Sequence, residues 1–403
     1  MVDLRGTNAA LHARSAAPDA VSDRDGVPGA EKRLGVAAAF VGGRLLDGDV
    51  SVRGGVIQAV GLPGHGNGIA VPGLVDAQVN GYAGVDVLGA DHDELRQLGA
   101  ALRRDGVGAY QPTLITAAED ELLAALGRIA SLPEASDGEA AIIGVHLEGP
   151  FLSPERAGAH PVEHLRAPDA GLMGRLLDAG PVSMVTLAPE LPGALELIRL
   201  CVARGVIVSL GHSRAGTEDL RRAGVAGAAA VTHLFNAMGP LRAREPGLAG
   251  AALGSADWAI QLIADGVHVA DELVRVAFAA APGRCSLVSD AISAATLGDG
   301  SYRLGPVDVE VRDGVARRPD GTLAGGVMPL ARTLGRLRGL GVEAAEAIAA
   351  VTARPARLLR CERFAGLAAG GPADLVVLDD GFRVRAVLAG GCELERPAAE
   401  VIA

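Results

Sequence analysis

Residues 141–150 read AIIGVHLEGP, an apolar run that gives way to His146 and Glu148 at its end. A short aliphatic run of this kind is typical of a buried strand. Seven similar runs lie at 74–80, 109–115, 182–187, 205–211, 228–234, 258–264 and 284–290. Helical stretches rich in Ala, Leu and Arg separate them, such as 121–130, where the large apolar residues recur at helical spacing. Eight strands that alternate with helices predict an α/β fold, a (β/α)8 TIM-like barrel.

The two ends of the chain follow a different pattern. Short apolar runs at 40–60 and 374–388 are interrupted by residue pairs that tolerate positive φ and therefore indicate hairpin turns. These pairs are Asp47-Gly48, Gly54-Gly55 and Asp380-Gly381. We expect residues 34–71 and 356–403 to share one small β-sandwich domain, and residues 72–355 to form the barrel.

The composition of the 403-residue chain excludes several kinds of protein. Its apolar runs are far shorter than the ~20 residues that cross a bilayer, so we expect no membrane partner. Residues 1–33 lack the apolar centre of a signal peptide, which predicts a disordered extension and a cytoplasmic protein. A net charge of −11 argues against a nucleic-acid partner. Lys32 is the only lysine, which excludes a Schiff-base lysine and a carbamylated lysine that bridges two metals.

Polar residues end several predicted strands, which is where barrel enzymes carry their catalytic groups. Glu148 ends the third run, His212 the fifth, His233 the sixth and Asp290 the eighth. A carboxylate and two imidazoles can supply the three protein ligands of a hydrolytic metal site that keeps an open position. Asp290 could then take a proton from water bound there. His146 either supports this site or is structural, and the strand pattern leaves both open.

Two further residues are candidates for binding an anion. Arg244 lies in GPLRAREPGLAGA, and a guanidinium matches phosphate oxygens bidentately. By itself Arg244 could equally be a surface charge. His268 lies at the end of the seventh strand, in LIADGVHV, and could contact the same anion.

These residues lie in blocks that resemble the N-acetylglucosamine-6-phosphate deacetylase family of the amidohydrolase superfamily. The resemblance runs from about Val71 to Asp379. The blocks occur in family order: VPGLVDAQVNG, GVHLEGPFLSPERAGAHP, SLGHS, VTHLFNAMGPLRAREPGLAGA, IADGVHV, LVSDA, GTLAGG, TARPAR and GGPADLVVLD.

The resemblance implies a role for each part of the site. It implies that Glu148, His212 and His233 hold the catalytic metal, that Asp290 is the general acid and base, and that His160 helps to polarise the amide carbonyl. It also implies a set of contacts to the sugar phosphate: Ala159, His160, Asn236, Ala237, Arg244, Asp265, His268, Leu323, Ala324 and Gly325. Members of the family are typically oligomers in which the adjacent subunit completes the phosphate site, so we expect a homodimer or a higher homo-oligomer.

The chain departs from the family pattern at two places. Many amidohydrolases have His-x-His after the first strand for a second metal, whereas this chain has Gln78-Val79-Asn80. Because neutral amides are poor ligands beside imidazole, we expect one divalent metal ion per chain, zinc first, with Fe, Mn or Co as the alternatives. The other departure is Gly326, where family members often have Ser.

We therefore expect hydrolysis of N-acetylglucosamine 6-phosphate to glucosamine 6-phosphate and acetate, by metal-activated water with Asp290 as base and then acid. An N-acetylgalactosamine-6-phosphate deacetylase differs at one sugar hydroxyl and stays open. An N-acyl amino-acid deacylase would give no reason for Arg244 and His268 together. A non-catalytic barrel would usually have lost a ligand or the acid/base, and here all four are present.

Overall fold

The computed structural model describes residues 30–64 and 66–395. Residues 1–29 of the predicted extension, and residues 396–403 of the predicted β domain, lie outside the described residues. The amino-terminal part forms six strands: β1 Lys32–Arg33, β2 Ala38–Val41, β3 Arg44–Asp47, β4 Asp49–Arg53, β5 Val56–Leu62 and β6 Ile69–Pro72.

Two of the predicted turns lie among these strands, and only one is a hairpin. Gly54-Gly55 joins the antiparallel pair β4 and β5, and both glycines have positive φ, 55° and 74°. Asp47-Gly48 instead carries the chain from β3 into a second sheet, so the hairpin prediction is wrong there. The glycine is needed there for a close approach of two backbones, since Gly48 has φ +113° and a Cβ on it would lie 2.5 Å from the carbonyl carbon of Gly61.

A parallel barrel follows. Its strands are β7 Leu74–Val79, β10 Val107–Ile115, β11 Ala141–Ile142, β12 Val145–Glu148, β13 Val182–Leu187, β14 Ile207–Leu210, β15 Ala230–Val231, β16 Ala259–Leu262 and β17 Cys285–Leu287. A separate short hairpin, β8 Gly81–Tyr82 and β9 Val85–Asp86, follows the first strand. Each of the eight predicted runs contains a strand, and β11 and β12 divide the third run between them. The order β7-β10-β12-β13-β14-β15-β16-β17 is parallel throughout, which confirms the predicted barrel.

Helices cover the outside of this sheet. They are α1 His92–Arg104, α2 Glu119–Ser131, α3 Ala170–Ala179, α4 Ala194–Ala203, α5 Thr217–Ala226, α6 Gly247–Gly254 and α7 Asp271–Ala280. In α2, the residues Leu122, Leu126 and Ile129 are buried on one face, as the spacing predicted. No helix among the described residues is long and apolar enough to cross a membrane.

The barrel closes between its first and last strands with few backbone bonds. Val79 and Ala291 form a single parallel bridge. Below it, the buried carboxylate of Asp76 accepts a hydrogen bond of 3.1 Å from the backbone N–H of Ser289. Burial raises the pKa of Asp76 to about 7. A side chain therefore takes the place of a missing ladder bond at this junction.

A three-stranded antiparallel sheet is inserted after the last barrel strand. It consists of β18 Gly300–Leu304, β19 Val307–Arg312 and β20 Val315–Arg317, and α8 Leu330–Gly339, α9 Ala344–Val351 and α10 Ala353–Leu358 follow it. In β19 buried valines alternate with exposed polar residues. These valines pack with Ile115, at the end of β10, and with Ala324, so the insertion covers part of the barrel mouth.

The last strands are β21 Leu375–Leu378, β22 Val384–Ala389 and β23 Cys392–Glu393. Asp380-Gly381 lies between β21 and β22, which pair antiparallel as predicted. Because β21 also pairs with β6, the two chain ends share one six-stranded sheet. Val50 and Ile57, from the other sheet, pack against Leu375 and Val377, which confirms the predicted small β-sandwich.

Candidate active site

Three of the predicted polar residues converge at the carboxyl ends of the strands. Glu148 is the last residue of β12, and His212 and His233 follow β14 and β15 by two residues. Oε1 of Glu148 lies 3.2 Å from Nε2 of His212 and 2.8 Å from Nε2 of His233. The two imidazole nitrogens are 3.1 Å apart. All three side chains are buried, so the sequence-predicted ligand set forms one compact group.

The backbone at this group is strained. His212 has φ +47°, His233 has φ +28° and Asp290 has φ +48°. Residues other than glycine rarely adopt this left-handed backbone conformation. It costs on the order of 1–3 kcal/mol per residue and persists only where the surrounding structure enforces it. Such strain is concentrated at functional sites, because it aims side chains that a regular strand end would not.

The donor set fits a divalent metal ion. Nδ1 of His212 lies 2.9 Å from the carbonyl oxygen of Arg156, which can only accept, so Nδ1 carries the proton and the lone pair of Nε2 faces Glu148. Burial opposes ionisation of Glu148, but the neighbouring rings of His160, His212 and His233 hold its pKa well below the usual range. Two imidazoles and one ionised carboxylate are a suitable ligand set for zinc and similar ions.

Asp290 lies beside this group and is suited to proton transfer. The side-chain amide of Asn80 donates a hydrogen bond of 2.8 Å to its Oδ1. Burial, together with the negative charge of Glu148, raises the pKa of Asp290 to about 6. A carboxyl group whose pKa lies near neutrality can both accept and return a proton.

The amides at the end of the first strand are otherwise unpartnered. Both amide atoms of Gln78 and Oδ1 of Asn80 are buried and have no hydrogen-bond partner among the described residues. The sequence pattern indicates Asn80 only as a departure from a second-metal motif. Its bond to Asp290 joins residues 210 positions apart, and no local pattern indicated it.

His160 presents a proton to the site. The backbone N–H and the Oγ1 of Thr116 lie 3.3 Å and 2.9 Å from its Nδ1. Because a backbone N–H only donates, Nδ1 accepts and the proton of the neutral ring is on Nε2, which lies 3.5 Å from Oε2 of Glu148. Burial lowers the pKa of His160 to about 4, so the ring is neutral at pH 7. Thr116 was not singled out from the sequence.

His146 belongs to a buried polar layer of the barrel. Its Nε2 lies 2.8 Å from Oγ1 of Thr186, which is 2.7 Å from Oγ1 of Thr232. Its Nδ1 is 3.4 Å from Oγ1 of Thr113. Burial lowers the pKa of His146 to about 4. The structure therefore favours the structural alternative, since both ring nitrogens face threonines of the strands.

Comparison with known proteins places this site in a family. Residues 69–394 match the Amidohydrolase family. The chain is 39% identical over 380 residues to the human N-acetylglucosamine-6-phosphate deacetylase, which covers 87% of this chain and 92% of the human protein. The chain belongs to the N-acetylglucosamine-6-phosphate deacetylase family of amidohydrolases.

Two more members of this deacetylase group are informative. A solved mutant of N-acetyl-D-glucosamine-6-phosphate deacetylase from Mycobacterium smegmatis, in complex with N-acetyl-D-glucosamine-6-phosphate, is similar with a TM-score of 0.84 and 36% identity, over 91% of this chain and 99% of that chain. An N-acetylgalactosamine-6-phosphate deacetylase from Escherichia coli O157:H7 is 36% identical over 354 residues, 86% of this chain and 94% of that protein. Family membership therefore leaves both sugar epimers to be considered.

The metal-ligand group is surrounded by several of the residues that the family resemblance predicts to contact the sugar phosphate. A Cβ on Gly158, next to Ala159, would lie 3.3 Å from Cε1 of His212 and 3.6 Å from Cβ of Ala237. Asn236 uses its amide to bond the carbonyl oxygen of His233, at 3.1 Å. The segments that carry Ala159 and Ala237 are thus adjacent at the ligands.

The segment Leu323, Ala324 and Gly325 lies next to Asp290. The backbone N–H of Gly326, the following residue, donates to the carbonyl oxygen of Asp290 at 2.8 Å. Ala324 is fully buried against the inserted sheet. This segment therefore reaches the site through its backbone.

The expected anion contacts are only partly assembled in the single chain. Asp265 uses both carboxylate oxygens on the turn at 267–268, with Oδ2 lying 2.7 Å from Nδ1 of His268. Asp265 therefore orients His268, and both of its carboxylate oxygens are already hydrogen-bonded within that turn. Arg244 is exposed and makes no hydrogen bond or ion pair with any described residue. Its guanidinium is available to a ligand or to a second subunit.

Proposed function

We propose that this protein hydrolyses the acetamide of N-acetylglucosamine 6-phosphate to acetate and glucosamine 6-phosphate. The observation that carries the proposal is the convergence of Glu148, His212 and His233 beside Asp290, with His160 donating from the other side. Relatives of this family that match over most of the chain are N-acetylglucosamine-6-phosphate deacetylases.

Glu148, His212 and His233 would hold one divalent ion per chain, zinc first, with iron, manganese or cobalt as alternatives. When bound, such an ion lowers the pKa of water toward neutrality and polarises a carbonyl, which an unactivated amide needs. Asp290 accepts a proton from the attacking water through the carboxylate oxygen that Asn80 leaves free.

His160 and Asp290 act on the two other atoms of the amide. As the water oxygen adds to the carbonyl carbon, negative charge develops on the amide oxygen, and the Nε2–H of His160 donates a hydrogen bond to it. Asp290 then returns its proton to the amide nitrogen as the C–N bond breaks. Acetate and the free amine leave, and both residues regain their starting protonation.

The 6-phosphate would be bound away from the reacting bond. We assign it to His268, oriented by Asp265, and to Arg244. Because Arg244 is exposed in the single chain, a homodimer or higher homo-oligomer could place it in the site of either subunit. Binding energy from the phosphate then positions the acetamide.

The experiment is a comparison of kcat/KM for N-acetylglucosamine 6-phosphate and N-acetylgalactosamine 6-phosphate, with metal content measured on the same sample. We expect turnover that depends on the metal and favours the glucosamine epimer. The relative from Escherichia coli O157:H7 supports the galactosamine epimer as the second candidate. A preference for that epimer would change the substrate assignment, and turnover of neither would reject the proposal.

A further inference from the structure

Glu190 lies outside the ligand group but is bonded to the loop that carries one ligand. It follows the end of β13 by three residues. Its Oε2 accepts a hydrogen bond of 2.6 Å from Oγ of Ser213, and its Oε1 accepts one of 2.7 Å from the backbone N–H of Arg214. Ser213 and Arg214 are the two residues that directly follow His212.

Ser213 in turn connects the two histidine loops. Its N–H donates to the carbonyl oxygen of Ala237 at 3.1 Å, and its carbonyl oxygen accepts from Gly239 at 3.3 Å. Oγ of Ser213 accepts from the N–H of Ala215 at 2.9 Å, and because an ionised carboxylate only accepts, the hydroxyl proton of Ser213 is directed to Glu190. The loop after His212 is thereby held to the loop after His233.

The conformation held in this way is the strained one. His212 has φ +47°, and its ring is oriented by the carbonyl oxygen of Arg156. Arg214 forms an ion pair with Glu155, in the same short turn as Arg156. Bonds on both sides of His212 therefore oppose relaxation of its backbone to an ordinary conformation.

The carboxylate of Glu190 has no ion-pair partner among the described residues. Both of its oxygens are used by the His212 loop, so its bonds are charge-assisted contacts to that loop alone.

We propose that Glu190 is a positioning residue for the metal ligand His212, acting through Ser213 and the N–H of Arg214. This inference rests on the proposed function, because it needs a metal at Glu148, His212 and His233. Without the carboxylate, the loop can relax and Nε2 of His212 moves away from the other two donors.

The test measures metal retention, not only turnover. Purified wild-type protein, Glu190→Ala and Glu190→Gln are titrated with a competing chelator, and bound metal is measured by elemental analysis. We expect Glu190→Ala to weaken metal affinity about 10- to 100-fold, as loss of a residue that supports a ligand typically does. Glu190→Gln should lie between it and wild type, because its amide oxygen can still accept from Arg214.

Glu218→Ala is the matched control. Glu218 is an exposed carboxylate in α5, a few residues beyond the same loop, and among the described residues its side chain pairs only with Arg221. We expect its metal affinity to equal that of wild type. If Glu190→Ala fails to fold, Ser213→Ala removes one of the two bonds and should still weaken the metal site.

The outcomes separate the two proposals. Wild-type protein that binds no metal would reject the proposed function. Wild-type protein that binds metal tightly, with Glu190→Ala equally tight, would overturn only the role of Glu190. An equal loss in Glu190→Ala and Glu218→Ala would also overturn it, since the effect would then be one of surface charge.

Discussion

The side-chain amide of Asn80 donates a hydrogen bond of 2.8 Å to Oδ1 of Asp290. The two residues follow the first and last strands of the barrel, next to the bridge between Val79 and Ala291 that closes it. Where many amidohydrolases have a histidine for a second metal, this chain thus has an amide that orients Asp290, the proposed general base. The bridge that closes the barrel and the bond that orients Asp290 are thus formed by neighbouring residues of the same two segments.

Asn80→Ala should therefore reduce catalysis. A hydrogen bond to a charged group contributes roughly 1.5–3 kcal/mol, which corresponds to about one to two powers of ten in kcat/KM. The bond from Asn80 stabilises the carboxylate, and burial already raises the pKa of Asp290 to about 6. Because the carboxylate is the proposed base, activity should fall as pH falls through this pKa. Loss of the bond should move that acid limb to higher pH.

The pH profile of kcat/KM checks this prediction. Asn80→Asp is the informative second variant, since a negative charge beside Asp290 should move the limb further in the same direction. If Asn80→Ala is less active but the acid limb of its pH profile stays in place, the bond from Asn80 does not stabilise the carboxylate of Asp290.

Asp290→Asn should keep the metal and lose most turnover. The amide preserves the shape of the side chain but cannot accept the proton of the water. General acid–base catalysis is typically worth on the order of 10² to 10⁴ in rate. Steady-state kinetics and elemental analysis of the same sample test both parts. Near wild-type turnover would assign proton transfer to another residue.

The protein should bind about one tightly held divalent ion per chain. Glu148, His212 and His233 form a complete ligand set, whereas Gln78 and Asn80 offer only amide groups beside it. Elemental analysis after removal of loosely bound metal gives the stoichiometry. Two ions at full occupancy would show that the amides do not prevent a second site.

Arg244→Ala should lower kcat/KM for the phosphorylated sugar alone. If Arg244 binds the 6-phosphate, its loss removes a charge-assisted contact and lowers kcat/KM by about one to two powers of ten. N-acetylglucosamine without phosphate should be hardly affected. Arg242→Ala is the control, because this exposed neighbour is paired with Glu245. An equal loss on both sugars would make Arg244 structural.

Gly326→Ser should destabilise the protein. A Cβ at this position would lie 2.3 Å from the carbonyl oxygen of Ser289, so the segment next to Asp290 would have to shift. Overpacking of this kind typically costs about 1–3 kcal/mol. Thermal unfolding measures the effect against Gly298→Ser, where a Cβ meets nothing within 4 Å. An unchanged Tm would mean that this segment adapts to the serine that relatives often have.

The sequence by itself determined the architecture and the chemical groups of the site. Apolar runs of strand length, separated by helical spacing, predicted all eight barrel strands, because burial of both faces of a parallel strand requires such runs. Glu148, His212, His233 and Asp290 could be selected because catalytic groups of barrels follow the strands. The turn at Asp380-Gly381 and the shared sheet of the two ends were predicted for similar local reasons.

Only the tertiary structure decided how these groups are oriented. Contacts between Asn80 and Asp290, Thr116 and His160, and Glu190 and the His212 loop join residues that are far apart in the chain. The same holds for Asp47-Gly48, which has the composition of a hairpin turn but joins strands of two different sheets, with the backbone of Gly61 packed against Gly48. Local sequence specifies propensity and burial, whereas ring tautomers, carboxylate orientation and strained backbone depend on partners that only folding brings within hydrogen-bond distance.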